Sequence, residues 1–170
     1  MQKLDLCGQW RLTRPARYAC TGTVPGSVYS FLLASGQMQD PYYRENELRA
    51  LTLMEQDFTF QKTFSAPTAL LHCPQILLHC AGLDTICTLT LNGQMVGRAY
   101  NMHRTWEFDV TSALRPGENT LEIQFASPTR WIADAYRRDP ISGSPHAMRG
   151  FPHLRKAHCM FGWDWGVSHS

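Results

Sequence analysis

Between residues 57 and 125 the apolar residues recur with a period of two, and this constrains the fold more than any other feature. Phe58, Phe60 and Phe64 share one face of a run over residues 57–65. Ile76, Leu78 and Cys80 alternate in the next run, then Cys87, Leu89 and Leu91, then Trp106, Phe108 and Val110, then Leu121, Ile123 and Phe125. Successive side chains on a strand point to opposite faces, so each run buries one face and wets the other. Asn92-Gly93 stands directly between Leu91 and Met95-Val96, and a two-residue hairpin wants positive φ at both turn positions. Arg115-Pro116-Gly117-Glu118-Asn119 makes another turn. An opening strand over residues 4–13, with Trp10 as its core anchor, brings the expectation to at least seven short strands joined by turns. That pattern gives an all-β sandwich or barrel.

Helical signals are short and few. Val24-Pro25-Gly26 is a turn, and Ser27 reads as an N-cap whose hydroxyl accepts from a first-turn N–H. Val28, Phe31 and Leu32 follow at i, i+3 and i+4, and Gly36 fits the glycine that closes a helix. Asp40-Pro41-Tyr42-Tyr43 breaks the chain before a second short helix over residues 46–53. Residues 129–138 read as a third. These pieces are too small for βαβ units. Residues 139–152 hold Pro140, Pro145, Pro152, Gly143 and Gly150, and read as loop. The stretch from Arg155 to Gly166 is dense in aromatic and strand-forming residues. The chain stops four residues after it, like something cut from a longer protein. The expected organisation is a sandwich core over residues 1–127 and a C-terminal extension of the same domain over residues 128–170.

Composition excludes several classes. The 170 residues are 44% apolar and 18% charged, which is globular. A net charge of +2 argues against a dedicated nucleic-acid binder. No apolar run approaches the roughly 20 residues that span a bilayer. Met1-Gln2-Lys3-Leu4-Asp5 reaches an acid before any apolar stretch forms, so no secretory signal is expected. The cysteines at 7, 20, 73, 80, 87 and 159 include no C-x-x-C pair and read as reduced thiols of a cytoplasmic protein. The seven-residue spacing of Cys73, Cys80 and Cys87 falls among strand formers and is coincidence. Residues 128–170 carry six basic against three acidic residues and four of the seven His. That stretch is either a solvated irregular tail or a surface that needs neighbours.

Gly162-Trp163-Asp164-Trp165-Gly166 is the most informative motif. Sugars present C–H faces that stack on indoles and hydroxyl pairs that a carboxylate can bind. In an extended segment Trp163 and Trp165 point one way and Asp164 the other, so one ligand meets all three only if the flanking glycines bend the chain. The competing reading makes both Trp core residues and Asp164 a turn residue. Paired carboxylates could signal glycosidase chemistry. The available acids (Glu45, Glu47, Glu55, Asp57, Asp84, Glu107, Asp109, Glu118 and Glu122) lie in no recognisable catalytic motif, and several alternate with core residues. There is no G-x-S-x-G elbow and no phosphate loop. His153 and His158, five apart, make a poor metal pair, so neither metal nor cofactor is expected. Arg130, Trp131, Tyr136, Arg137 and Arg138 fit a helix with one buried face.

Taken in order, the motifs resemble a known family. Val24-Pro25-Gly26-Ser27-Val28, Asp40-Pro41-Tyr42-Tyr43 with Asn46-Glu47, Gly82-Leu83-Asp84-Thr85, Leu91-Asn92-Gly93, Asn101-Met102-His103-Arg104, Arg155-Lys156-Ala157 and Gly162-Trp163-Asp164-Trp165-Gly166 follow the order seen in β-mannosidases of glycoside hydrolase family two. Leu-Asn-Gly and Pro116-Gly117-Glu118-Asn119 are shared with β-galactosidases and β-glucuronidases. The resemblance implies a jelly-roll β-sandwich, galactose-binding-domain-like, at the N-terminus of a longer enzyme. It implies that the catalytic glutamates lie on a downstream (β/α)8 barrel and none in this chain. Asn46-Glu47 imitates the acid/base dipeptide of that clan but precedes the sandwich strands, so it is not catalytic. Carried over, Asp164 binds hydroxyls of a terminal β-mannoside and Trp163 or Trp165 lines the pocket. The partners implied are that substrate and the downstream barrel, with no nucleic acid and no membrane. The family usually continues Gly-Pro-Arg after the motif, whereas here Gly166-Val167-Ser168-His169-Ser170 follows. An autonomous carbohydrate-binding module, or the equivalent domain of a β-galactosidase or β-glucuronidase, is the alternative.

Overall fold

The period-two runs are strands, and they close a two-layer sandwich. A computed structural model describes residues 2–15, 17–141 and 148–161, apart from the side chains of 17–19, 158 and 161. The strands are β1 (Gly8–Arg14), β2 (Arg17–Val24), β3 (Phe58–Ala66), β4 (Leu77–Cys80), β5 (Ile86–Leu91), β6 (Gln94–Tyr100), β7 (Trp106–Asp109) and β8 (Gly117–Phe125). Between them lie α1 (Val28–Ala34), α2 (Asn46–Met54) and the single turn α3 (Thr68–Leu71), and α4 (Pro128–Arg138) follows β8. The larger sheet has the order β2-β1-β3-β8-β5-β6, and β4 pairs with β7 in the smaller. The ladders within both sheets are antiparallel.

The centre of the large sheet is β3 against β8, paired residue for residue from Phe58–Phe125 to Ala66–Gly117. One face of this ladder presents Phe58, Phe60, Leu121 and Ile123 to the core, beside Leu89 and Leu91 of β5. Trp106 and Phe108 of β7 belong to the same cluster, so both sheets share one interior. Aromatic edges tie it together: Phe31 of α1 meets Phe60 with centroids 5.1 Å apart, and Phe60 meets Phe125 at 5.6 Å. Where β6 crosses β7, a Cβ on Gly97 would stand 2.1 Å from the Phe108 ring, so only glycine lets the layers approach.

Local chemistry fixes the connections. Ser27 caps α1 as expected, and Ser30 returns the bond in a capping box. The helix closes with Gly36 N–H to Leu33 and Gln37 N–H to Leu32, a Schellman pair. Asn92 and Gly93 both take positive φ, +54° and +82°, in the β5–β6 turn. Asn92 also reaches sideways. Its Nδ2 donates to Ala113 O and to Asn119 Oδ1, each at 2.8 Å, and its Oδ1 accepts from Thr120 N at 3.0 Å. Asn119 is fully buried. Its Nδ2 donates to Arg115 O and Gly117 O, and its Oδ1 also accepts from Arg115 N. The Leu-Asn-Gly and Pro-Gly-Glu-Asn motifs are therefore two halves of one amide network.

Several expectations shift. The first strand starts at Gly8 rather than residue 4. Asp5 accepts the Cys7 N–H and Leu6 O accepts from Trp10 Nε1 at 2.7 Å, which spends those groups on a turn. β2 was not anticipated, because Arg-Tyr-Ala-Cys-Thr-Gly-Thr-Val has no clean alternation. Arg155 makes a single parallel bridge with Asn101, and 3-10 geometry follows at His158–Phe161.

Replacing the buried Asn119 with Ala removes a shared partner from four polar groups, and is expected to cost about 3 kcal/mol in urea unfolding without changing the far-ultraviolet spectrum. Gly97→Ala is expected to cost about 1–3 kcal/mol by overpacking against Phe108. Wild-type midpoints for either variant would contradict the packing described.

Candidate functional site

The strand registers bring chemically distinct loops to one end of the sandwich. Phe58 opposes Phe125, Ile86 opposes Tyr100, and Cys80 opposes Trp106. The β4–β5 loop with Gly82-Leu83-Asp84-Thr85, the β6–β7 loop with Asn101-Met102-His103-Arg104, and the end of β8 therefore meet there. Ser127 anchors that end. Its N–H donates to Asp57 Oδ1 at 2.8 Å, its hydroxyl donates to Met54 O at 2.9 Å, and the same oxygen caps α4 by accepting from Arg130 N. Arg130 also pairs with Asp57. Basic residues of α4 lie outward while Ile132 is buried against Phe151, Leu154 and Ile86.

The C-terminal segment is fastened onto these loops. Met102 N donates to Arg155 O at 3.0 Å, and Ala157 N donates to Met102 Sδ at 3.0 Å. Between them Lys156, only 7% exposed, places its Nζ 2.5 Å from Asp84 Oδ2. The Thr85 hydroxyl donates to the other Asp84 oxygen. Three motifs far apart in sequence, at 82–85, 101–104 and 155–157, thus form one junction. Sequence reasoning named all three but did not pair Asp84 with Lys156. Opposite charge was the only available signal, and 72 residues separate them.

Asp164, Trp163 and Trp165, the residues singled out for sugar contact, lie outside the described residues, as does His146. The described residues end at Phe161, two positions before Trp163.

Other acids have structural partners. Asp109 accepts from Thr111 N and Oγ1 and from Gln75, and Thr111 holds its carboxyl below the usual range. The Cys7 amide does the same to Asp5. Both shifts run opposite to what a general acid needs. Glu122 accepts from Gln61, and Glu107 pairs with His79 on the surface. Asn46 spends its side-chain amide on Asp40 O at the start of α2, a turn role. His153 donates from Nε2 to Asp139 O at 2.8 Å. Among the described residues no cluster of three or more His, Cys, Asp or Glu is spaced to hold a metal, and no helix is long and apolar enough to cross a membrane. A cavity of about 1760 Å³ is lined by residues of both layers, among them the apolar Phe58, Leu78 and Ile123 and the polar Gln75, His79 and Glu107.

Fold and loop end together define an antiparallel β-sandwich of galactose-binding type. Residues 10–170 match the family described as glycosyl hydrolase 2 galactose-binding domain-like, and the chain belongs to that family. It is 33% identical over 173 residues to a β-mannosidase of Mus musculus, covering 96% of this chain and 20% of the relative. The crystal structure of a β-D-mannosidase from Dictyoglomus thermophilum superposes with a TM-score of 0.89 at 32% identity, covering 99% of this chain and 21% of that one. A β-glucuronidase from an uncultured Clostridium sp. shares the fold alone, with a TM-score of 0.53 at 20% identity over 71% of this chain and 21% of that one. The chain thus spans about a fifth of the length of the relatives it matches.

All six cysteines are free. Burial pushes the Cys80 thiol up to about 11 and the Cys87 thiol up to about 12, so neither forms much thiolate near neutrality. Cys159 is exposed, while Asp5 raises Cys7. Alkylation at pH 8 followed by mass mapping is expected to label Cys159 first and to spare Cys80 and Cys87 until the chain is unfolded. Early labelling of Cys87 would contradict its burial.

Proposed function

We propose that this chain is the non-catalytic N-terminal domain of a retaining exo-β-mannosidase and supplies one wall of the sugar subsite. Its parent removes terminal β-linked mannose through a glycosyl-enzyme intermediate, with both reacting carboxylates on a downstream barrel. The observation that carries this reading is likeness across the whole chain to β-mannosidases, in sequence and in structure, against fold likeness alone to the β-glucuronidase. The structural roles of Asp57, Asp84, Asp109 and Glu122 support placing the chemistry elsewhere.

In this reading Asp164 binds sugar hydroxyls and Trp163 or Trp165 lines the pocket. The junction at Asp84, Met102 and Lys156 supports it, because it anchors the chain just ahead of that motif. Residues 128–170 act as an extension of the sandwich, a view supported by the packing of Ile132, Phe151 and Leu154 on Ile86. The six free thiols favour a reducing, cytoplasmic setting.

A chromogenic β-mannoside tests the division of labour. The 170-residue chain is expected to give no turnover and the longer polypeptide to hydrolyse the substrate; turnover by the chain alone would end the proposal. In the longer polypeptide Asp164→Ala is expected to lower kcat/KM by about 100-fold or more while the protein stays folded. An unchanged kcat/KM would remove Asp164 from the site.

A further inference from the structure

Lys156 is held by a charged partner on a loop 72 residues away in sequence. Its ammonium lies almost out of water, and such a charge persists only where a carboxylate answers it. Asp84, its own side chain 35% exposed, supplies that carboxylate from the β4–β5 loop, and the Thr85 hydroxyl occupies its other oxygen. The neighbouring residues are fixed by unrelated means. Leu154 is packed in the small cluster with Ile132 and Phe151, Arg155 is held through its backbone by Met102, and Ala157 donates to the Met102 sulfur. Leu154 and Lys156 are buried while Arg155 between them is exposed, an extended alternation held by apolar packing at one inward position and by charge at the next.

An apolar residue at 156 would bury its surface without desolvating a charge, and buried ion pairs add little net stability over well-packed apolar substitutes. What the pair adds is register. An apolar side chain accepts many depths and neighbours, whereas an ammonium accepts one carboxylate. Asp164 lies eight residues beyond Lys156 in the sequence.

Resting on the function proposed above, we infer that Lys156 is a positioning residue: held by Asp84, it sets the register in which the C-terminal segment leaves the sandwich and thereby places Asp164 against the sugar.

Two measurements test this independently. In the longer polypeptide, Lys156→Met is expected to lower kcat/KM about 100-fold, mainly through kcat, because displacing a substrate-contacting group by about 1 Å has effects of that size. Lys156→Arg, which can still pair with Asp84, is expected to recover most of the loss. Because the residue acts through Asp164, adding Lys156→Met to Asp164→Ala is expected to lower the rate little further. Losses that multiply in the double variant, or a Lys156→Met enzyme with wild-type kcat, would overturn the proposal. The second measurement needs no substrate. In the 170-residue chain labelled with 5-fluorotryptophan, Lys156→Met is expected to move the fluorine resonances of Trp163 and Trp165 and to leave those of Trp10 and Trp131 in place, with Trp106, bonded to Asn101 in the junction, excluded from the comparison. Resonances that all move, or none that do, would overturn it. A wild-type longer polypeptide inert towards β-mannosides would defeat the proposed function, and the fluorine spectra would still decide whether Lys156 sets the register.

Discussion

The nine-residue ladder of β3 with β8 is the interaction on which the rest of the molecule depends. It joins residues about sixty apart and places the Phe58–Phe60 pair beside Leu121 and Ile123 at the middle of the interior. On one side it carries β1 and β2, and on the other β5 and β6. Loop closure over such a distance is entropically costly and is recovered only when the apolar faces meet. The smaller β4–β7 layer then covers part of the exposed face, with α1 contributing Phe31. With the ladder in place, the loops at its Phe58–Phe125 end have a fixed platform.

Most of this architecture was legible in the sequence. Strict alternation identified β3, β5, β7 and β8, and all of their inward residues are buried or packed on the core. Asn92-Gly93 located its hairpin because few other residue pairs accept positive φ twice. Ser27 and Gly36 marked the ends of α1. β2 escaped notice because it is built to receive a helix rather than to present an apolar face: Gly22 lies flat under the Phe31 ring, where a Cβ would come within 2.5 Å. Arg155 and its neighbours carry no such periodic signal. Their strand propensity is spent on one short bridge and on anchoring, and no periodic signal encodes a tether.

Legibility of the site was partial in an instructive way. The Asp84, Met102 and Lys156 motifs were recognised as marks of a family, but their physical task was hidden because each is meaningful only beside the others. Among the acids, the sequence suggested solvent-facing residues, and the structure gives several of them specific duties: Asp57 holds Ser127 and Arg130, Asp109 closes the turn after β7, and Asp84 meets Lys156. A carboxylate retained for architecture looks the same in a sequence as one retained for chemistry. Only its neighbours tell them apart.

The amide pair of Asn92 and Asn119 has a consequence for how the chain reaches this state. If the β5–β6 turn formed one position early or late, every side chain on those strands would turn to the wrong face, and the carboxamides would lose their complementary acceptors and donors. Apolar alternation alone penalises such errors gradually, since greasy surfaces tolerate approximate matches. Two interlocked carboxamides penalise them abruptly. The interlocked pair thus disfavours misaligned β5–β6 hairpins relative to the native register.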